Sequence, residues 1–230
     1  MADRLSQHFG LIGGLGVGAS VIYYEAIAAA CASRGIIPRL TMAHANAPTA
    51  LALVTAGRIE EMAQYLAGFV RELSAAGADF FAIPAITPHI CLPELQKRVS
   101  LPIVDILDVS ATTLRQRSLA RVSLFGTRFT IDTALFGALD GVDVVRPTDA
   151  EVDEIHATYL DLATSGQTTP EKTDRLRRIA DRLCRDEKVE AVLLAGTDLN
   201  LVFDEKNAGF PAVDCASAHI AAIVARMAAA

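Results

Sequence analysis

The sequence predicts an α/β protein of two lobes, each a parallel sheet of about four strands with flanking helices. Three observations predict it. Short aliphatic runs alternate with stretches of helical spacing along the whole chain. Apolar residues make up 52% of the 230, while aromatics are only 6% and Trp is absent, a composition suited to buried parallel strands. Two strand-to-helix turns of similar form, Ala82-Ile83-Pro84-Ala85-Ile86-Thr87-Pro88-His89 and Leu194-Ala195-Gly196-Thr197-Asp198-Leu199, each follow an apolar run. Ligands of open α/β sheets bind at such carboxyl ends of strands, so the chain reads as two similar halves with one site between them.

The first strand is expected at His8–Ile12, running through the glycine-rich Gly13–Ser20 into an amphipathic helix from Val21 to Ser33. Gly14-x-Gly16-x-x-Ala19 matches a dinucleotide fingerprint. The second strand, Arg39–His44, lacks the acidic residue that would hold a ribose, ending instead in His44 and Asn46, which argues against a nicotinamide cofactor. Ala45–Val54 reads as a loop or short helix. Gly57–Ala76 has helical spacing (Met62, Leu66, Phe69, Val70, Leu73) and stops at Gly77. The third strand and the first of the two turns follow. Pro93–Val99 reads as a short helix, Leu101–Ile106 as a fourth strand and Ser110–Arg117 as the helix crossing to the second half.

Arg121–Phe125 opens that half as a strand, with Gly126–Thr130 as its turn. Thr127 and Thr130 read either as helix caps or as donors facing a substrate. A strand at Gly141–Pro147, a helix at Glu151–Thr164, and a helix at Pro170–Glu187 with Pro170 in its first turn lead to the second of the two turns. Pro211–Asp214 and Ala216–Met227 are the last strand and helix. The closing helix is expected to pack back on the first half, so the lobes are residues 1–108 plus 214–230, and 109–213.

A net charge of −6 without a basic block excludes nucleic-acid binding. No apolar run reaches the ~18 residues of a membrane span, and Met1–Phe9 has no signal-peptide core, so a cytoplasmic protein is expected. The cysteines Cys31, Cys91, Cys184 and Cys215 are too scattered for a zinc site or a disulfide framework; they read as buried thiols.

The two turns, the Gly-Gly-Leu-Gly segment before Tyr23-Tyr24, the Gly-Thr-x-x-Thr of Gly126–Thr130 and the order of elements together resemble the aspartate/glutamate racemase superfamily. There the first turn reads Cys-Asn-Thr-x-His and the second Gly-Cys-Thr-Glu. Here Thr87 and His89 fit the first, with Ala85 and Ile86 in the cysteine and asparagine places. Thr197 and Asp198 fit the second, with Gly196 in the cysteine place.

The resemblance implies two flavodoxin-like (Rossmann-like) lobes related by a pseudo-two-fold, no cofactor and no metal, and a homodimer. Its chemistry is that of an amino-acid racemase-like isomerase or a lyase acting on a small carboxylate. Both proton-moving thiols are absent, because Ala85 and Gly196 carry no ionisable atom, and Cys91 and Cys215 are displaced from the turns. The catalytic candidates are therefore His89 and Asp198, with the hydroxyls of Thr87 and Thr197, as imidazole and carboxylate are the remaining acid/base groups of the two turns. Each also has a structural account: His89 as a helix-start side chain bonded to backbone, Asp198 as an N-cap. His44 and Asp108, also near strand ends, read as structural.

Substrate-binding candidates are Gly14, Gly16, Ala85, Ile86, Thr127, Arg128, Thr130 and Gly196. No Arg stands in Ala47–Ala50 and no Lys in Ala163–Gly166, where relatives acting on acidic amino acids carry them, so a mono-carboxylate suits the site better than aspartate. The alternative is a racemase-like protein that binds a small carboxylate without turning it over.

Overall fold

A computed structural model describes residues 4–229; Met1 to Asp3, the start of the N-terminal segment considered above, and Ala230 lie outside the described residues. The chain forms two compact units, Met1–Ile106 with His219–Ala230, and Leu107–Ala218.

The first unit holds β1 (Arg4–Gly13), β2 (Ile36–His44) and β3 (Phe80–Ala82) in the order β2-β1-β3, all parallel. Parallel pairing places the carboxyl ends of all three strands on one sheet edge. Helices α1 (Val17–Ala32), α2 (Ala47–Thr55), α3 (Ile59–Ala75) and α4 (Leu92–Gln96) make the connections. The core forms because α3 carries Met62, Leu66, Val70 and Leu73 on one buried face, in one cluster with Ile12 and Phe81 from the sheet and Ile83 just after β3. Each such side chain contributes about 1.5–3 kcal/mol on burial. Gly77 ends this helix region at φ 86°, a left-handed conformation that glycine adopts without strain.

In the second unit the order is β5 (Asp143–Val144), β4 (Arg121–Gly126), β6 (Ala191–Ala195) and β7 (Ala212–Asp214), again all parallel. Its helices are α5 (Ile106–Gln116), α6 (Arg128–Asp132), α7 (Asp149–Ser165) and α8 (Pro170–Asp186), and the chain leaves it within α9 (Cys215–Met227). Local signals start the helices where they stand. Thr148 and Glu151 form a reciprocal capping box on α7, with Thr148 N donating to Glu151 at 2.8 Å. Thr169 caps α8 ahead of Pro170.

The fourth strand expected at Leu101–Ile106 is reduced to a single parallel bridge, Phe81 to Ile103. Pro102 has no N–H to donate, so this segment joins β3 only through Phe81 N to Pro102 O and Val104 N to Phe81 O, both at 2.9 Å. Ile106 then enters α5, earlier than the Ser110 start expected. The strand expected at Gly141–Pro147 pairs only at Asp143–Val144. Helix α1 begins at Val17 rather than Val21, straight after the glycine turn.

That turn depends on glycine. Gly14 sits at φ 86°, and a Cβ there would lie 2.2 Å from the backbone oxygen of Ala45. A Gly14→Ala variant is expected to lose about 2–5 kcal/mol, from backbone strain and overpacking together. Denaturant unfolding reads this; a variant as stable as the parent would show that the β1–α1 turn relaxes freely.

Candidate active site

In the first unit the chain after β3 closes into a 3₁₀ turn, Thr87–Cys91. Ala85 and Ile86 are buried at its start and Thr87 is half-buried. Across the turn, His89 Nδ1 donates to the Ala85 carbonyl at 2.8 Å. A carbonyl only accepts, so Nδ1 carries the proton and the neutral ring presents a lone pair on Nε2. Nε2 is buried without a hydrogen-bond partner. It stands 3.6 Å from Asp105 Oδ1, on the residue that follows the bridged 102–104 segment. Burial pushes the imidazole pKa down, against the Asp105 carboxylate and the carbonyls of Ala85 and Ile86, which push it up.

A second buried histidine shapes this region. His219 Nε2 donates to Val104 O at 2.8 Å, so its Nδ1 accepts from the Tyr23 hydroxyl at 2.9 Å. Burial lowers this imidazole to about 3, which keeps the ring neutral beside the residue before Asp105.

The glycine turn is partly self-satisfied. Gly14 N donates to Ser20 Oγ at 3.0 Å, and the same hydroxyl donates to Gly16 O at 2.7 Å. The N–H of Gly14, one of the substrate-binding candidates, is therefore already used. His44 is exposed at the end of β2, and Asp108 is exposed on α5.

In the second unit, Thr127 caps α6. Its hydroxyl oxygen accepts from Thr130 N at 3.1 Å and lies 2.8 Å from Thr130 Oγ1, so the capping account of this pair is realised. The Arg128 guanidinium bonds Asp153, and the backbone N–H of Arg128 donates to His156 Nδ1 at 3.3 Å. The turn after β6 is a 3₁₀ segment, Thr197–Leu201, with Thr197 and Asp198 buried. Gly196, not Asp198, stands at the cap position, and Asp198 lies inside the turn. The N-cap account of Asp198 is thereby corrected: its carboxylate accepts from the Tyr159 hydroxyl at 3.3 Å.

Tyr159, on α7, also explains the glycine at 196. A Cβ on Gly196 would come 2.4 Å from Tyr159 Cε2, so the ring fills the volume a side chain would need. Burial and the Asp198 carboxylate push the phenol well above its usual range, leaving it a hydrogen-bond donor at neutral pH.

The nearest thiols are shut away. Cys91 donates to Pro88 O at 3.2 Å and burial pushes it up to about 12. Cys215 is buried and also pushed up to about 12. Neither supplies a thiolate near neutral pH. Among the described residues no cluster of three His, Cys, Asp or Glu is placed to hold a metal ion, and no helix is long and apolar enough to cross a membrane. A charged recess lined by Glu151, Glu154, Arg175, Arg178, Ile179 and Arg182 lies on α7 and α8 and contains none of the turn residues.

Comparison with known proteins agrees with this architecture. The family model for Asp/Glu/Hydantoin racemases matches residues 12–223. The chain belongs to that family. A Bacillus subtilis (strain 168) protein described as the broad specificity amino-acid racemase RacX is 24% identical over 161 residues, 67% of each chain. An aspartate racemase homologue from Pyrococcus horikoshii OT3 superposes with a TM-score of 0.79 at 24% identity, over 95% of this chain and 98% of the other. The aspartate racemase of Picrophilus torridus gives 0.72 at 19% identity, over 96% and 93%. At these identities the two structures speak for the fold of the family.

Asp105, Tyr159 and His219 are the polar residues around these turns that the sequence reading passed over. Asp105 had a signal, an acid directly after a short apolar run at a strand end. Tyr159 and His219 had none, being single polar positions within helices.

Two outcomes follow from the buried groups. Between pH 6.5, the ordinary histidine value, and about 3, where the folded ring titrates, the unfolded chain takes up a proton that folded His219 refuses. The contribution of this ring is therefore full above 6.5 and falls with decreasing pH, by up to ~1.4 kcal/mol per pH unit. Denaturation midpoints that stay level as pH falls below 6.5 would contradict its burial as a neutral ring. For the second unit, Gly196→Ala is expected to cost about 1–3 kcal/mol through overpacking. In a double-mutant cycle with Tyr159→Ala the combined loss should be less than additive; strict additivity would mean the ring does not hold that volume.

Proposed function

We propose that this protein is a cofactor-independent isomerase of the amino-acid racemase type, moving a proton at the carbon next to the carboxylate of a small acid. The observation that carries the reading is the Nε2 of His89. It is a fixed-tautomer base, bare of hydrogen bonds, on the turn after β3. Family membership supplies the reaction class, and the RacX relative is described as an amino-acid racemase.

In this reading His89 and Asp198 are the proton-transfer groups, each held in a defined orientation by a neighbour. Thr87 and Thr197 are hydroxyl donors to the substrate, and Gly14, Gly16, Ala85, Ile86, Thr127, Arg128, Thr130 and Gly196 line its binding positions. With Arg128 engaged by Asp153, neutral donors carry the substrate's carboxylate, each worth about 0.5–1.5 kcal/mol net. A substrate with one carboxylate and a small or apolar remainder suits this better than aspartate. The protein is proposed to work as a homodimer in the cytoplasm without metal. A lyase using the same single proton transfer, or a carboxylate-binding protein without turnover, is the second reading. It is favoured by Ala85 and Gly196, which bring no ionisable atom to the turns.

The reading is tested by α-proton exchange in D₂O on free L- and D-amino acids and small hydroxy acids. Exchange on at least one is expected, insensitive to thiol alkylation. His89→Gln and Asp198→Asn should each slow it about 10²–10⁴-fold with melting temperatures near the parent. Ligand-induced stabilisation without exchange on any of them would favour the binding protein.

A further inference from the structure

His89 and Asp105 differ in a respect that decides which of them meets a substrate. The His89 side chain has no exposed surface, whereas that of Asp105 is 23% exposed. Nδ1–H is committed to Ala85 O at 2.8 Å, so only Nε2 can take a proton. That atom faces Asp105 Oδ1 across 3.6 Å and has no hydrogen-bond partner. A buried imidazole lone pair beside a carboxylate is a place where one added proton is held by both groups. Asp105 follows the segment bridged to β3, and His89 follows β3 itself. Both thus lie beyond the carboxyl edge of one sheet, the edge where ligands of α/β sheets bind.

We propose that Asp105 is the catalytic acid/base of the first unit, the group that touches the substrate, and that His89 is the positioning residue behind it, receiving and returning the proton. This deepens the isomerase reading and rests on it, with one change: His89 exchanges its proton with the substrate through Asp105 and not by direct contact. The substrate's C–H bond breaks, its electron pair stays on the substrate as an enolate, and the proton forms an O–H bond on Asp105. The proton then passes to His89 Nε2, leaving an imidazolium opposite a carboxylate. Return of the proton along the same path gives solvent exchange without inversion; inversion takes a proton on the opposite face of the enolate from a second acid, so the net reaction needs no oxidant or reductant. The substrate class is a small carboxylic acid whose acidic C–H adjoins the carboxylate.

The groups that act on His89 leave Asp105 in control. His219, from α9, stays uncharged down to about 3. Cys91, on the same turn as His89, stays a thiol up to about 12. Asp105 also directly precedes α5 and so stands where a helix cap would. Asn caps a helix as well as Asp does, so Asp105→Asn removes the charge and keeps that structural role.

The test uses the full chain with ¹³C-labelled histidine and aspartate. NMR titration is run on the parent, Asp105→Asn and His89→Gln, alongside exchange on whichever amino acid the parent labels fastest. In the parent, the His89 ring signals give the reference midpoint. In Asp105→Asn the His89 midpoint should fall by about one to three pH units. Asp105→Asn should lose about ten times more exchange activity than His89→Gln, and Asp105→Glu should recover part of it. A His89 titration unmoved by Asp105→Asn sinks the pair and leaves the isomerase reading standing. A loss in His89→Gln equal to or larger than that in Asp105→Asn makes His89 the contacting base and overturns the assignment. No exchange in the parent on any amino acid, with the NMR coupling intact, sinks the isomerase reading and the catalytic role of Asp105 with it.

Discussion

The hydrogen bond from His89 Nδ1 to the Ala85 carbonyl is the constraint on which the chemistry of the first unit depends. Its net worth as a stabilising contact is small, about 0.5–1.5 kcal/mol. Its consequence is larger than its energy, because it decides which nitrogen keeps a proton. With Nδ1 committed, the ring cannot turn Nε2 into a donor without becoming a cation. Burial opposes that cation and Asp105 favours it. Burial is the larger of the two, so the ring rests neutral with its Nε2 lone pair toward the carboxylate.

The same region contains a histidine with the opposite assignment. His219 donates from Nε2 to Val104 O and accepts at Nδ1 from Tyr23. Both ring nitrogens are used, so this ring has no capacity left for proton traffic. It ties the residue before Asp105 to α1 and α9. One fully satisfied imidazole positions the chain, and one half-satisfied imidazole is left to act. The two are separated by hydrogen bonding rather than by burial, since both are buried.

The second unit solves a different problem. Its turn after β6 carries no side chain at Gly196, and the space is taken by Tyr159 from α7, whose hydroxyl reaches Asp198 in the same turn. A helix thereby supplies both the surface and the hydrogen bond that the turn lacks. Burial holds the thiols of Cys91 and Cys215 protonated, so carboxylates, imidazoles and hydroxyls are the groups the turns offer near neutral pH.

The sequence by itself determined the fold and the order of its parts. Aliphatic runs such as Ala191–Ala195 suit buried parallel strands, and caps such as Thr148 with Glu151 act within a few residues, so both are written locally. The two turns and the glycine turn were legible for the same reason, as was the absence of a thiol at Ala85 and Gly196. Tertiary structure decided the rest. That Leu101–Ile106 makes a single bridge follows from Pro102 and the early start of α5. That Asp198 takes a phenol from α7 rather than capping a helix depends on where that helix lies. The pairing of His89 with Asp105, of Tyr159 with Gly196 and of Tyr23 with His219 joins residues distant in sequence. Such pairs leave no periodicity or spacing behind, because a side-chain contact across a fold depends on the positions of whole elements and not on the residues between them.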